Sequence, residues 1–304
     1  MLRSSTVVPL LLVALSTATL RAQTVDDGAL LPRRVIGTGL LYAHDSWTQY
    51  WEGSLKRGNG NIGTLTTQSV TWVAGYGVTD RLSVMAMLPY VRTHASEGPL
   101  HGMDGLQDIT LAAKYQLLAT PLTDRGTLRA MVVGVAGIPV SNYTPDFQPL
   151  SIGLASRRLS GRFTLNFQAH QGWFLNGSAA YTWRAKVMLD RPAYYTNGQL
   201  YLSDEVAMPD VFDYTVTAGY QRGRLSVPVS LSQQRTLGGG DIRRQDMPFV
   251  SNRMDFVKVG GLAMYSLPGP EPLGIRLGAS RIVSGRNVGQ ATTLTAGLFH
   301  TLRL

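Results

Sequence analysis

Apolar and polar residues alternate one by one through most of this chain. Between 162 and 170, Phe163, Leu165, Phe167 and Ala169 alternate with Arg162, Thr164, Asn166, Gln168 and His170. A period of two gives a β-strand with one apolar and one polar face. The same pattern recurs at 107–117, 211–220 and 225–234. In all, twelve segments are predicted, at 36–49, 63–77, 81–94, 107–119, 126–139, 152–170, 174–187, 209–221, 224–236, 252–266, 272–285 and 289–304. The sixth is long enough to begin as loop. In the tenth, Lys258 conflicts with one register and Asp255 with the other, and a bulge reconciles the two. Both faces of 126–139 are apolar, so alternation does not say which of them points inward.

Dyad-alternating segments of about ten residues are the signature of strands that cross a membrane as a barrel. The connections support this by alternating in length. Short ones fall at 78–80, 120–125, 171–173, 222–223 and 267–271, and long ones at 50–62, 95–106, 140–151, 188–208 and 237–251. Outer-membrane barrels have short periplasmic turns and longer outer loops, whereas a soluble sandwich has no reason to place long and short loops in turn. The expectation is therefore an all-β, transmembrane antiparallel β-barrel of about 12 strands with both ends of the chain on the periplasmic side. Trp72, Tyr76, Tyr90, Tyr115, Tyr181, Trp183, Tyr214 and Tyr220 fall mostly on the predicted outward faces, many near strand ends where interfacial girdles form.

Composition narrows the choice further. Only 15% of residues are charged, against about 25% in ordinary soluble domains. Yet beyond the N-terminus no apolar run reaches the roughly 18 residues of a membrane helix. There is no cysteine, which excludes disulfides and thiolate metal sites. Residues 1–22 read as a secretory signal: Arg3, an apolar stretch from Val7 to Leu15, and a cleavage site at Leu20-Arg21-Ala22, with Ser16-Thr17-Ala18 as a second candidate. Its removal leaves 26 basic against 19 acidic residues, so the net charge falls from +9 to +7. Export argues against nucleic acid as the user of that excess; a pore lining or anionic lipid suits it better. The expected organisation is a signal at 1–22, a short periplasmic lead at 23–34 and the barrel at 35–304, in a bacterial outer membrane.

Two blocks of sequence resemble a known family. Tyr76-Gly77-Val78-Thr79-Asp80-Arg81-Leu82-Ser83, running into Leu88-Pro89-Tyr90, resembles a strand–turn–strand of outer-membrane transporter-like proteins named for a MetA pathway of phenol degradation. Gly105-Leu106-Gln107-Asp108-Ile109-Thr110-Leu111, with Lys114-Tyr115, is similar to that family's next strand. The resemblance implies transport of aromatic or other hydrophobic compounds and brings no functional residues with it. One departure is the final residue, Leu304, where many outer-membrane barrels carry an aromatic residue read by the assembly machinery.

Candidate chemistry lies on the inward faces. Asp108, Lys114, Arg129, Arg162, Arg184, Lys186, Asp213 and Arg276 are predicted to face the lumen, where charges either line a water-filled channel or neutralise one another. Met85, Met87 and Pro89 are predicted near Met131, Val133 and Val135, across the small Ala112, as an apolar patch for a hydrophobic solute. The competing reading is that 126–139 turns its other face inward. The expected function is passive uptake or efflux of small molecules, hydrophobic or aromatic ones among them. The alternatives are a structural or adhesive barrel without an open pore, and an outer-membrane lipase built on His44, Ser46 and a loop Asn59 or Asn61. His170 and His300 lack ligand spacing, and Asp204 and Glu205 read as a solvated loop, so no metal or cofactor is expected. The expected partners are membrane lipids, lipopolysaccharide, the small-molecule solute and the assembly machinery.

Overall fold

The computed structural model describes residues 23–243, 247–269 and 273–304, so the expected signal at 1–22 lies outside the described residues. Twelve long strands run antiparallel: β1 (Val35–Trp47), β2 (Leu65–Gly77), β3 (Leu82–Ala95), β4 (Ile109–Leu122), β5 (Gly126–Ile138), β6 (Arg158–Ala169), β7 (Trp173–Arg184), β8 (Val211–Arg222), β9 (Leu225–Thr236), β10 (Asp255–Ser266), β11 (Leu273–Arg286) and β12 (Thr292–Arg303). Each pairs with its neighbours in sequence, and β1 pairs with both β2 and β12. The sheet therefore closes on itself and presents no long unpaired edge. A short strand, Asp104–Leu106, adds to the loop end of β3.

Residues form these strands because alternation gives each of them two solvents. Leu40, Trp72, Phe163, Leu175, Val216 and Leu277 are exposed on the outside, as expected of side chains that face lipid. Asn166, Asn176, Ser178 and Thr215, on three of the same strands, are buried inside. The sixth strand begins at Arg158, and residues 139–157 belong to the loop before it. The strain expected around 255–258 is relieved by a register shift between Val257 and Lys258, opposite which β11 skips Val283. A second shift, in β4, skips Leu117 and leaves Leu117 and Leu118 both exposed. The strand before the longest loop stops at Arg184, so Lys186 lies in that loop, ion-paired with Glu205, and not on a lumen face.

The two ends differ. At one, short turns join β2 to β3 and β8 to β9. At the other, long loops pack on one another. Val187, Tyr194 and Val206 of residues 185–210 share a small core with Phe249 and Val250 of residues 237–254. Leu150 of residues 139–157 is buried with Ile62, Leu65 and Ala95, so that loop dips toward the lumen.

Candidate functional site

Of residues 23–34, expected as a short periplasmic lead, 24–31 lie in the lumen, while 32–34 are exposed at the turn end. From the turn end the segment runs up against β2 to β7. Lys114 on β4 holds it: its ammonium donates to the backbone oxygens of Thr24 (2.5 Å), Asp27 (2.9 Å) and Ala29 (3.3 Å), and to Asp27 Oδ1 at 2.8 Å. The Lys114 side chain is fully buried, so these oxygens replace its hydration. Asn176 Nδ2 donates to the Asp26 carbonyl at 2.7 Å, and Leu31 N donates to Ser83 Oγ at 3.1 Å. Gly28 passes so close to β6 that a Cβ there would sit 2.2 Å from Asn166 Cγ. Sequence reasoning missed this because the segment has no periodicity, and its anchor is 87 residues away.

The segment lies between two walls of the lumen. On one side, Val25 packs against Met85, Ala112 and Val133. Met131 and Val133 are buried, while Val132 between them is exposed on the outside, so Met131, Val133 and Val135 are on the inward face of β5. That explains why both faces of 126–139 are apolar: one meets lipid and the other meets the segment and Met85. Met87 and Pro89 continue the apolar strip along β3 toward Val91. Near the loop end the strip borders a hollow of about 400 Å³, lined by Pro89, Val91, Ile152 and Leu154 together with hydroxyls of β2.

On the other side, β8 to β12 present hydroxyls, the cations Lys258 and Arg276, and the apolar Leu262 and Met264. A cavity of about 350 Å³ lies between this wall and the segment. Thr215, Ser230, Ser232, Ser280 and Lys258 line it, and Arg276 lies within electrostatic reach of Asp26 and Asp27 of the segment.

Arg162 donates to Asp213 Oδ1 at 2.6 Å and to Ser178 Oγ at 2.8 Å, which neutralises that part of the wall. Asp108 sits just before β4 at the loop end, buried, and accepts from Tyr143 Oη (2.6 Å) and Arg158 Nη1 (3.3 Å). Burial, and then the bond to Asp108, push the Tyr143 phenol above its ordinary range, so it stays a donor at any working pH. Arg184 ends β7, where its backbone N–H donates to Asp210 Oδ1 at 3.0 Å. Arg129 lies on the inward face of β5, toward the turn end. The residues proposed for a lipase do not converge: Asn59 donates its amide to Gly63 O, and the side chain beside His44 Nδ1 is Gln68, at 3.4 Å.

The long loops are stitched together at one point. Asp241 takes a two-pronged ion pair from Arg286, with contacts of 2.7 and 2.5 Å, and a bond from Asn287 Nδ2 at 2.8 Å. Asn287 Oδ1 in turn accepts from Gly53 N and Ile242 N. The Arg286 bond, outweighing a smaller opposing effect of burial, holds the Asp241 carboxyl below its ordinary value.

Comparison with known proteins extends this picture. The family described as "Putative MetA-pathway of phenol degradation" matches residues 54–297. No curated protein matches the sequence. Among solved structures, the COG4313 outer membrane channel from Pseudomonas putida F1 aligns with a TM-score of 0.71 at 16% identity, over 92% of this chain and 100% of that one. The translocator domain of autotransporter NalP from Neisseria meningitidis aligns with a TM-score of 0.48 at 11% identity, over 92% of this chain and 91% of that one. The first of these shares the barrel architecture; at such identities the likeness is one of fold.

Proposed function

The chain belongs to the family described as the putative MetA-pathway of phenol degradation, and on that premise we propose that this bacterial outer-membrane barrel is a channel for passive passage of small hydrophobic or aromatic molecules. The observation that carries the reading is the apolar inner wall of Met85, Met87, Ala112, Met131 and Val133, which continues through Pro89 and Val91 to the hollow under the loops. A barrel filled only to hold its shape has no need of such a continuous strip. Methionine suits contacts with solutes of varied shape. Passage is uncoupled from energy and runs with the gradient. His44, Asp45 and Ser46 carry no reaction in this reading. Lipopolysaccharide surrounds the loop end, and the assembly machinery reads β12.

A second reading, a barrel without an open pore, draws on the same segment, because 24–31 fills the lumen beside β2 to β7. The two part in one experiment. Intact cells take up labelled toluene at limiting concentration, with the gene present, deleted and restored. The channel reading expects slower uptake on deletion and recovery on restoration; equal uptake in all three supports the pore-free barrel.

A further inference from the structure

We infer that the lumen segment 24–31 occupies the channel's own solute site, so that a small apolar molecule competes with Val25 for the wall of Met85, Ala112 and Val133. The inference rests on the hydrophobic-solute reading above and names the site within it.

The first support is the continuity of the apolar strip. It starts in the hollow of about 400 Å³ under the loop end, where Pro89, Val91, Ile152 and Leu154 meet. It continues along the inward residues Met87 and Met85 of β3 and ends beneath Val25. A solute following it meets the segment where the wall is most apolar.

The second support is the nature of the segment's grip. Val25 and Leu31 are its apolar contacts, against the β3–β5 wall and beside Gly37 and Gly75. The rest is polar: three backbone oxygens and one carboxylate oxygen around the Lys114 ammonium, and Asn176 on the Asp26 carbonyl. Withdrawing Val25 leaves an apolar wall facing water. The segment therefore stays down until something else covers that wall, and a molecule that covers it favours release.

The third support is a place for the segment to go. Thr24 and residues 26–29 already border the cavity of about 350 Å³ on the opposite side. There Arg276 already lies within electrostatic reach of Asp26 and Asp27, so a carboxylate that leaves Lys114 keeps a cationic neighbour. A two-position element of this kind responds only to a ligand that prefers one position. The apolar wall supplies that preference.

The chain has no cysteine, so single-cysteine reporters are clean. In proteoliposomes of the full mature chain, a water-soluble thiosulfonate is applied to Val25→Cys with and without toluene. We expect toluene to speed the reaction by at least about tenfold, equivalent to about 1.4 kcal/mol of shift, and glycerol at the same concentration to leave it unchanged. Val133→Cys reports from the wall: it reacts slowly alone, faster with Lys114→Met, and toluene then protects it. An unchanged Val25→Cys rate with toluene overturns the inference. If cells still take up toluene through the channel, that failure leaves the channel reading standing; if they do not, the channel reading has failed by its own test. Should Lys114→Met fail to fold, the Val25→Cys reporter in the otherwise unaltered chain still decides.

Discussion

Two residues set how tightly the lumen is closed. Lys114 gathers oxygens from Thr24, Asp27 and Ala29, and Gly28 lets the backbone pass Asn166 without a side chain between them. A valine at position 28 overlaps Asn166 and forces the segment off β6. Gly28→Val is therefore expected to raise ionic conductance while the barrel keeps its heat-modifiable gel mobility; unchanged conductance would place the segment's hold elsewhere. Asp241 gives a second residue-scale prediction. Its folded carboxyl is held below the ordinary value of 3.8, so its contribution is present above that pH and fades as the pH falls through the lower folded value. The midpoint of thermal unfolding should separate wild type from Asp241→Asn at about pH 7, and the gap should narrow as the pH is taken below the ordinary value of 3.8. Between about pH 5 and 8 this stitch does not respond to pH. Tyr143→Phe removes one of two partners of the buried Asp108 and should cost about 1–3 kcal/mol in urea unfolding.

At the scale of elements, the strands were legible because each carries its own record of two environments. Phe163 and Leu165 face lipid while Arg162 and Thr164 face the lumen, and no distant residue is needed to see it. Val216 is outward near the middle of β8. Val216→Arg should cost about 2–4 kcal/mol of folding free energy, the penalty of a lipid-facing arginine at mid-depth, measured by urea unfolding in bilayers. A cost near zero would mean that this face meets water. Alternation fell silent where a strand is apolar on both sides. In 126–139, Val132 faces out and Val133 faces Val25, a contact made by a segment about a hundred residues away that alternation cannot encode. The bulge between Val257 and Lys258 was readable because two charges demanded opposite registers, whereas the shift at Leu117 was hidden by a run of leucines that fits either face. The candidate site was half legible: the methionines and Lys114 are on inward faces, but what covers them was not visible in the sequence.

As a whole molecule, the barrel holds two different spaces. The closed sheet keeps its lipid face apolar, the loops pack on one another at one end, and the N-terminal segment separates a covered apolar wall from a cavity of mixed lining. The large lumen expected of twelve strands is thus narrowed by the protein's own chain. On this reading the segment, held by Lys114, sets the bore. Single-channel conductance in a planar bilayer compares the wild-type chain with Lys114→Met after both show the mobility of a folded barrel. Small unitary steps are expected for wild type and clearly larger steps for Lys114→Met. Steps of equal size from two folded proteins would mean that the segment does not set the bore.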